Sequence, residues 1–119
     1  MDETVQTRLL ENRDELRTIC KRYGVARLSV FGSALGNGFT DESDLDLLAA
    51  FLPGRTPGLA FVRLQRELSE LLGLDVDLHT ERSLSRYFRE YVLRESRVVF
   101  ASEGTEKNVD KTGDRARVG

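Results

Sequence analysis

The chain has one cysteine, Cys20, which excludes an internal disulfide framework and a cysteine-rich zinc site. It lacks an excess of either charge. Eighteen Lys and Arg stand against 20 Asp and Glu, for a formal net charge of −2, so the basic surplus of a strong nucleic-acid binder is missing. No apolar run approaches the roughly 20 residues that cross a bilayer. The opening stretch MDETVQTRLLENRDE is charged and helix-like, unlike a secretory signal. These absences point to a cytoplasmic protein with no DNA, RNA or membrane as partner. Internal repeats and low-complexity blocks are also absent. Proline occurs twice, at Pro53 and Pro57, both inside one breaker segment, PGRTPG. What remains, 119 residues with 39% hydrophobic and 32% charged side chains, is the composition of one globular domain.

Hydrophobic spacing predicts the elements. Val5, Leu9, Leu16, Ile19, Cys20 and Tyr23 recur at helical intervals and predict one amphipathic helix over 3–23, stopped by Gly24. Residues 25–31 predict a strand running into a Gly32-Ser33 turn, and 34–43 (ALGNGFTDES) have loop chemistry with room for a turn of helix. A second strand is expected over 44–51 and a second helix over 58–72, with Val62, Leu64, Leu68, Leu71 and Leu72 mostly on one side. Gly73 ends that helix, and 74–79 alternate as a third strand. Ser83 is a candidate N-cap for a third helix whose apolar face holds Leu84, Tyr87, Phe88 and Tyr91. Residues 97–101 read as a strand or a helix end, and 102–119 as a polar tail following a domain of 1–101. The order implies an α+β fold: a small mixed sheet with helices packed on it in two layers.

The chemistry concentrates in three places. In a strand over Asp44-Leu45-Asp46-Leu47, alternation puts Asp44 and Asp46 on one face and the leucines on the other. Paired carboxylates repel and call for a cation, and Mg²⁺ binds one or two carboxylates together with substrate phosphates. Asp77 in LDVDL alternates against core-facing Val76 and Leu78 and can join the same surface, so that three carboxylates on two strands can hold two metal ions for phosphoryl transfer. Gly32-Ser33 supplies a turn whose N–H groups and hydroxyl can meet phosphate oxygens.

Gly32-Ser33, ten residues, then Asp44-Leu45-Asp46 resembles the GS-x10-D-x-D signature of the minimal nucleotidyltransferases, a small branch of the DNA polymerase β-like superfamily. LSVFGSALG, SDLDLLAAF, LGLDVDLHT and RSLSRYFREYVLRESRVVF extend the resemblance over about residues 5–100. It implies the polymerase-β-like nucleotidyltransferase fold. It also implies transfer of AMP from ATP, with Mg²⁺ as cofactor and release of pyrophosphate. Asp44, Asp46 and Asp77 would be the metal ligands and catalytic carboxylates, Asp77 also taking the acceptor's proton, and Gly32 and Ser33 would hold the nucleoside triphosphate. Many such proteins are similar to antitoxins that adenylylate a tyrosine of a HEPN-type ribonuclease toxin, so a protein partner is implied, and a homo- or hetero-oligomer is left open. The sequence departs from the pattern in one respect. Family members commonly carry arginines after Gly-Ser, whereas here Ala34-Leu35-Gly36-Asn37-Gly38 follows. Arg82, Arg86 and Arg89 are candidates to replace that charge.

Plainer readings stand beside these. His79 reads as a surface histidine at a strand end, Asp75 as a strand-start residue and Cys20 as a small core hydrophobe. Tyr87, Phe88 and Tyr91, at helical spacing, read as core rather than as a base-stacking platform. The missing arginines motivate an alternative function, a catalytically weak or inactive module that neutralises its partner by covering it. A template-independent enzyme acting on nucleic-acid ends is a third, weaker one.

Overall fold

The structure, a computed structural model, describes residues 1–102. The expected tail therefore lies almost wholly outside the described residues. Two helices, α1 (Glu3–Glu11) and α2 (Arg13–Arg22), precede strand β1 (Val25–Phe31) and a 3-10 turn at Gly32–Leu35. Strand β2 (Leu45–Phe51), helix α3 (Ala60–Leu72) and strand β3 (Val76–His79) follow. A second 3-10 turn (Glu81–Ser83), helix α4 (Arg86–Glu95) and strand β4 (Arg97–Ala101) complete the order. The run 97–101 is thus a strand.

The predicted single helix over 3–23 is two. Both the backbone N–H and the side-chain amide of Asn12 donate to the Arg8 carbonyl, at 3.2 and 2.8 Å. A side chain that competes for a helical carbonyl is a known helix interrupter, and the chain restarts at Arg13. The N-terminus of α1 is capped by Asp2, whose carboxylate accepts from Val5 N–H at 3.1 Å. Asp2 N–H in turn donates to the Ala34 carbonyl at 2.6 Å, tying that cap to the turn after β1. At the other end of the layer, α3 closes on Gly73 in the left-handed region (φ 66°). The Arg8 guanidinium donates to the Leu72 carbonyl there at 2.6 Å, a cation at the negative end of a helix.

The sheet is four-stranded and mixed, in the order β3-β2-β1-β4. Strand β1 pairs antiparallel with β2 and β4, and β2 runs parallel to β3, joined through α3. Alternation divides its two faces. Leu28, Val30, Leu45, Leu47, Ala49, Val76 and Leu78 enter the main core with Val5, Leu16, Cys20, Leu64, Leu68 and Leu72 from α1–α3. Residues one position out of phase face the other way. There, Phe31 and Leu48 meet Leu84 and Val92 in a smaller cluster that α4 covers only in part.

Three expectations about the last two helices are corrected. Ser85, not Ser83, caps α4, accepting from Phe88 N–H at 3.3 Å. Ser83 instead closes the preceding turn, its hydroxyl exchanging bonds with Thr80 N–H and C=O at 3.1 and 2.8 Å. Tyr87, Phe88 and Tyr91 are not core: they are 91%, 44% and 54% exposed, because α4 buries itself through Val92 while Leu84 anchors the chain just before it. Val62 is likewise exposed on α3, which packs through Leu64, Leu68 and Leu72.

Candidate active site

The sheet register assembles the site. Phe31 at the end of β1 is the Cα partner of Asp46 in β2, and Asp46 is the partner of Asp77 in β3. Leu48 pairs with His79 one step further along. Since Leu45, Leu47, Val76 and Leu78 are held in the core, Asp46, Asp77 and His79 must stand on the opposite face. Burial of the leucines thus fixes the direction of the carboxylates.

Gly32 follows Phe31 with φ +80°, a conformation L side chains rarely adopt. A Cβ at this position would run into Oδ2 of Asp46. The glycine lets the backbone close over the carboxylate and start the 3-10 turn. Ser33, next in that turn, is exposed beside it, and its carbonyl accepts from Gly36 N–H at 3.2 Å.

Asp46, Asp77 and His79 each offer a ligand atom, and these atoms lie within 4.8 Å of one another. His79 Nε2 is 3.2 Å from Asp77 Oδ2 and 3.6 Å from Asp46 Oδ1. Neither approach has hydrogen-bond geometry, which leaves Nε2 a buried side-chain polar atom without a hydrogen-bond partner among the described residues. The imidazole is held from the other side by Phe31, edge to face at 5.3 Å between centroids. Burial pushes the Asp46 carboxyl above its ordinary range; His79 works against that shift, while Asp77 and Asp44 add to it. Two converging carboxylates, one held above its normal pKa, with an unsatisfied nitrogen between them, fit a divalent cation.

Of the residues expected here, Asp46, Asp77, Gly32 and Ser33 come together. Asp44 does not join the cluster. It stands exposed one residue before β2, and its charge adds to the upward shift of the Asp46 carboxyl. Asp75 stands immediately before β3, its carbonyl accepting from Leu45 N–H at 2.7 Å. His79 is more than a surface histidine. The signal for it was present in the sequence, two residues after Asp77 and therefore on the same face. None of the three candidate arginines lines the cavity beside Ser33. Arg89 is spent on the Glu81 and Leu84 carbonyls, at 3.0 and 3.2 Å, and Arg82 lines a different cavity of about 800 Å³ further along the open sheet face.

The chain matches known proteins over most of its length. The family described as the nucleotidyltransferase domain matches residues 13–100. The protein adenylyltransferase MntA of Thermococcus cleftensis is 37% identical over 95 residues, which cover 78% of this chain and 90% of that protein. A solved structure provisionally described as a minimal nucleotidyltransferase is 43% identical, with a TM-score of 0.65 over 81% of this chain and 94% of the other. A chain from the complex of tri-AMPylated Shewanella oneidensis HEPN toxin with MNT antitoxin shares the fold at 18% identity, with a TM-score of 0.57 over 83% and 77% of the two chains.

Proposed function

This chain belongs to the nucleotidyltransferase domain family, and from that premise we propose that it transfers AMP from ATP to a hydroxyl of a partner protein, as the antitoxin of a HEPN/MNT pair. The observation that carries the reading is the pairing of Asp46 with Asp77 across β2 and β3, with Gly32 closed against the first. The names of the relatives, a protein adenylyltransferase and an antitoxin beside an AMPylated toxin, support the acceptor class.

Asp46 and Asp77 would hold Mg²⁺, with His79 between them and Asp44 as a further carboxylate at the mouth of the strand; two ions are expected. When bound, the metal draws charge from the phosphoryl oxygens. The chain's own residues do the rest. Gly32 and Ser33 present turn N–H groups and a hydroxyl to the triphosphate, fixing its α-phosphorus near the carboxylates. Asp77, the more exposed of the pair, accepts the proton of the acceptor hydroxyl. That oxygen bonds to the α-phosphorus as the bond to the bridging α,β oxygen breaks. Pyrophosphate then leaves with the electron pair. The buried side of the site, walled by Phe31 and the imidazole, keeps bulk water off one flank of the reacting phosphorus.

The cavity beside Ser33 has no arginine among its lining residues, which favours one second reading: neutralisation of the partner by coverage alone. Replacing Asp46 by Asn separates the two. The transfer reading expects AMP transfer and neutralisation of the partner to be lost together, with the complex still forming. Neutralisation that survives unchanged supports coverage.

A further inference from the structure

Phe88 and Tyr91 pose a problem for folding alone. Both are apolar rings left near half exposed on α4, where they contribute little to the core. Yet their orientations are held. The two rings stack with 6.1 Å between centroids and 21° between planes. Phe88 is braced edge-on by Phe31 at 6.3 Å, and the Arg94 guanidinium sits 6.0 Å from the Tyr91 ring centre. A held, exposed aromatic pair offers a flat apolar surface to a group that covers it.

The place of the pair says what that group is. Phe88 and Tyr91 line the same cavity of about 440 Å³ as Gly32 and Ser33, a size within the usual range for small-molecule sites. Phe31 belongs to this wall as well, and its ring also meets His79 of the acidic cluster. One continuous wall of rings therefore leads from the carboxylates, past the turn, to the stacked pair. Glu95 lines the cavity too. A carboxylate there repels phosphate but accepts hydrogen bonds from sugar hydroxyls or an exocyclic amine. If phosphates meet Gly32 and Ser33, the rings of Phe88 and Tyr91 and the Glu95 carboxylate are the lining groups left for a base and a sugar.

We propose that Phe88 and Tyr91 form a stacking platform for the purine base of the nucleotide whose phosphates meet Gly32 and Ser33. The assignment rests on the nucleotidyltransferase reading above and adds to it the residues that separate a nucleotide from a bare polyphosphate. It also accounts for affinity in a cavity without arginine, since stacking supplies part of what charge does not.

The test is calorimetric titration of the full chain, in Mg²⁺, with ATP and separately with inorganic tripolyphosphate, which has neither base nor sugar. Phe88→Leu keeps apolar volume against Phe31 while removing the ring, and Tyr91→Ala removes the second ring. Each is expected to weaken ATP about tenfold, the order of one base–ring stack, and to leave tripolyphosphate unchanged. In turnover, KM for ATP rises while kcat holds. Tyr87→Ala, which removes an exposed ring outside the cavity, changes neither ligand. Equal ATP affinity in the wild type and both ring variants overturns the platform and leaves the nucleotidyltransferase reading intact. So does a wild type that binds ATP no better than tripolyphosphate, or variants that lose only partner binding. A wild type that binds neither ligand overturns both.

Discussion

Gly32 and Asp46 meet where a side chain would have to stand: a Cβ on the glycine runs into Oδ2 of the aspartate. The glycine at φ +80° is therefore required twice, once for its own backbone and once for the position of the carboxylate. Gly32→Ala is expected to cost about 1–2 kcal/mol from the backbone conformation alone, and to push Asp46 off its line to Asp77. Thermal unfolding gives the first quantity and AMP transfer the second. The loss of activity should exceed what the loss of folded protein explains. An alanine variant with normal activity would show that the contact does not position Asp46.

His79 is the one histidine in the sequence, so its ring protons give a single, assignable pair of NMR signals. Its Nε2 lies beside both carboxylates. Adding Mg²⁺ should shift these signals saturably, and Asp46→Asn or Asp77→Asn should abolish the shift. Signals that ignore Mg²⁺ in the wild type would mean that the carboxylates hold no ion.

The raised pKa of Asp46 has a sign that can be checked in metal-free protein. The folded state keeps this proton to higher pH than the unfolded chain does. Stability tied to the group is fully present below the ordinary carboxyl value of about 4 and is lost as pH rises through the raised folded value. In chelator, Asp46→Asn should therefore resist denaturant better than wild type at neutral pH, and the gap should close on acidification. Mg²⁺ should narrow or reverse the order at neutral pH. A gap that does not change with pH would contradict the assignment.

Cys20 is fully buried on the core side of α2, and burial pushes its thiol up to about 12. At pH 8 the native protein should react with a thiol reagent far more slowly than the same protein in guanidinium, because little thiolate exists and the sulfur is covered. Cys20→Ser places a hydroxyl in the apolar core and is expected to cost about 1–3 kcal/mol. Rapid native labelling would show that α2 opens more easily than its packing implies.

Much of this was legible in the sequence because leucine and aspartate alternate. Leu45 and Leu47 can face only the core, so Asp46 can face only outward, and Val76-Asp77-Leu78 repeats the argument on β3. The two strands become neighbours because α3 crosses between them. Capping was less legible. Ser83 has the chemistry of a cap, but its hydroxyl is taken by the turn it makes with Thr80, and the cap of α4 falls to Ser85. The break at Asn12 depends on one side chain reaching the Arg8 carbonyl, which periodicity does not register. The aromatics of α4 were misread for a physical reason. Helical spacing tells which residues share a face, but not whether the sheet offers that face anything to cover it. The open side of this sheet does not, and two of the uncovered rings, Phe88 and Tyr91, line the cavity instead.

The central claim is that Asp46 and Asp77 support transfer of the nucleoside monophosphate, and the position of the label in ATP tests it directly. The protein is incubated with Mg²⁺ and its partner, once with ATP labelled at the α-phosphate and once at the γ-phosphate. The account predicts label on the partner from the α position only, none with Asp46→Asn, and γ label recovered as pyrophosphate. Label reaching the partner from the γ position, or α label transferred undiminished by the Asp46 variant, would contradict it.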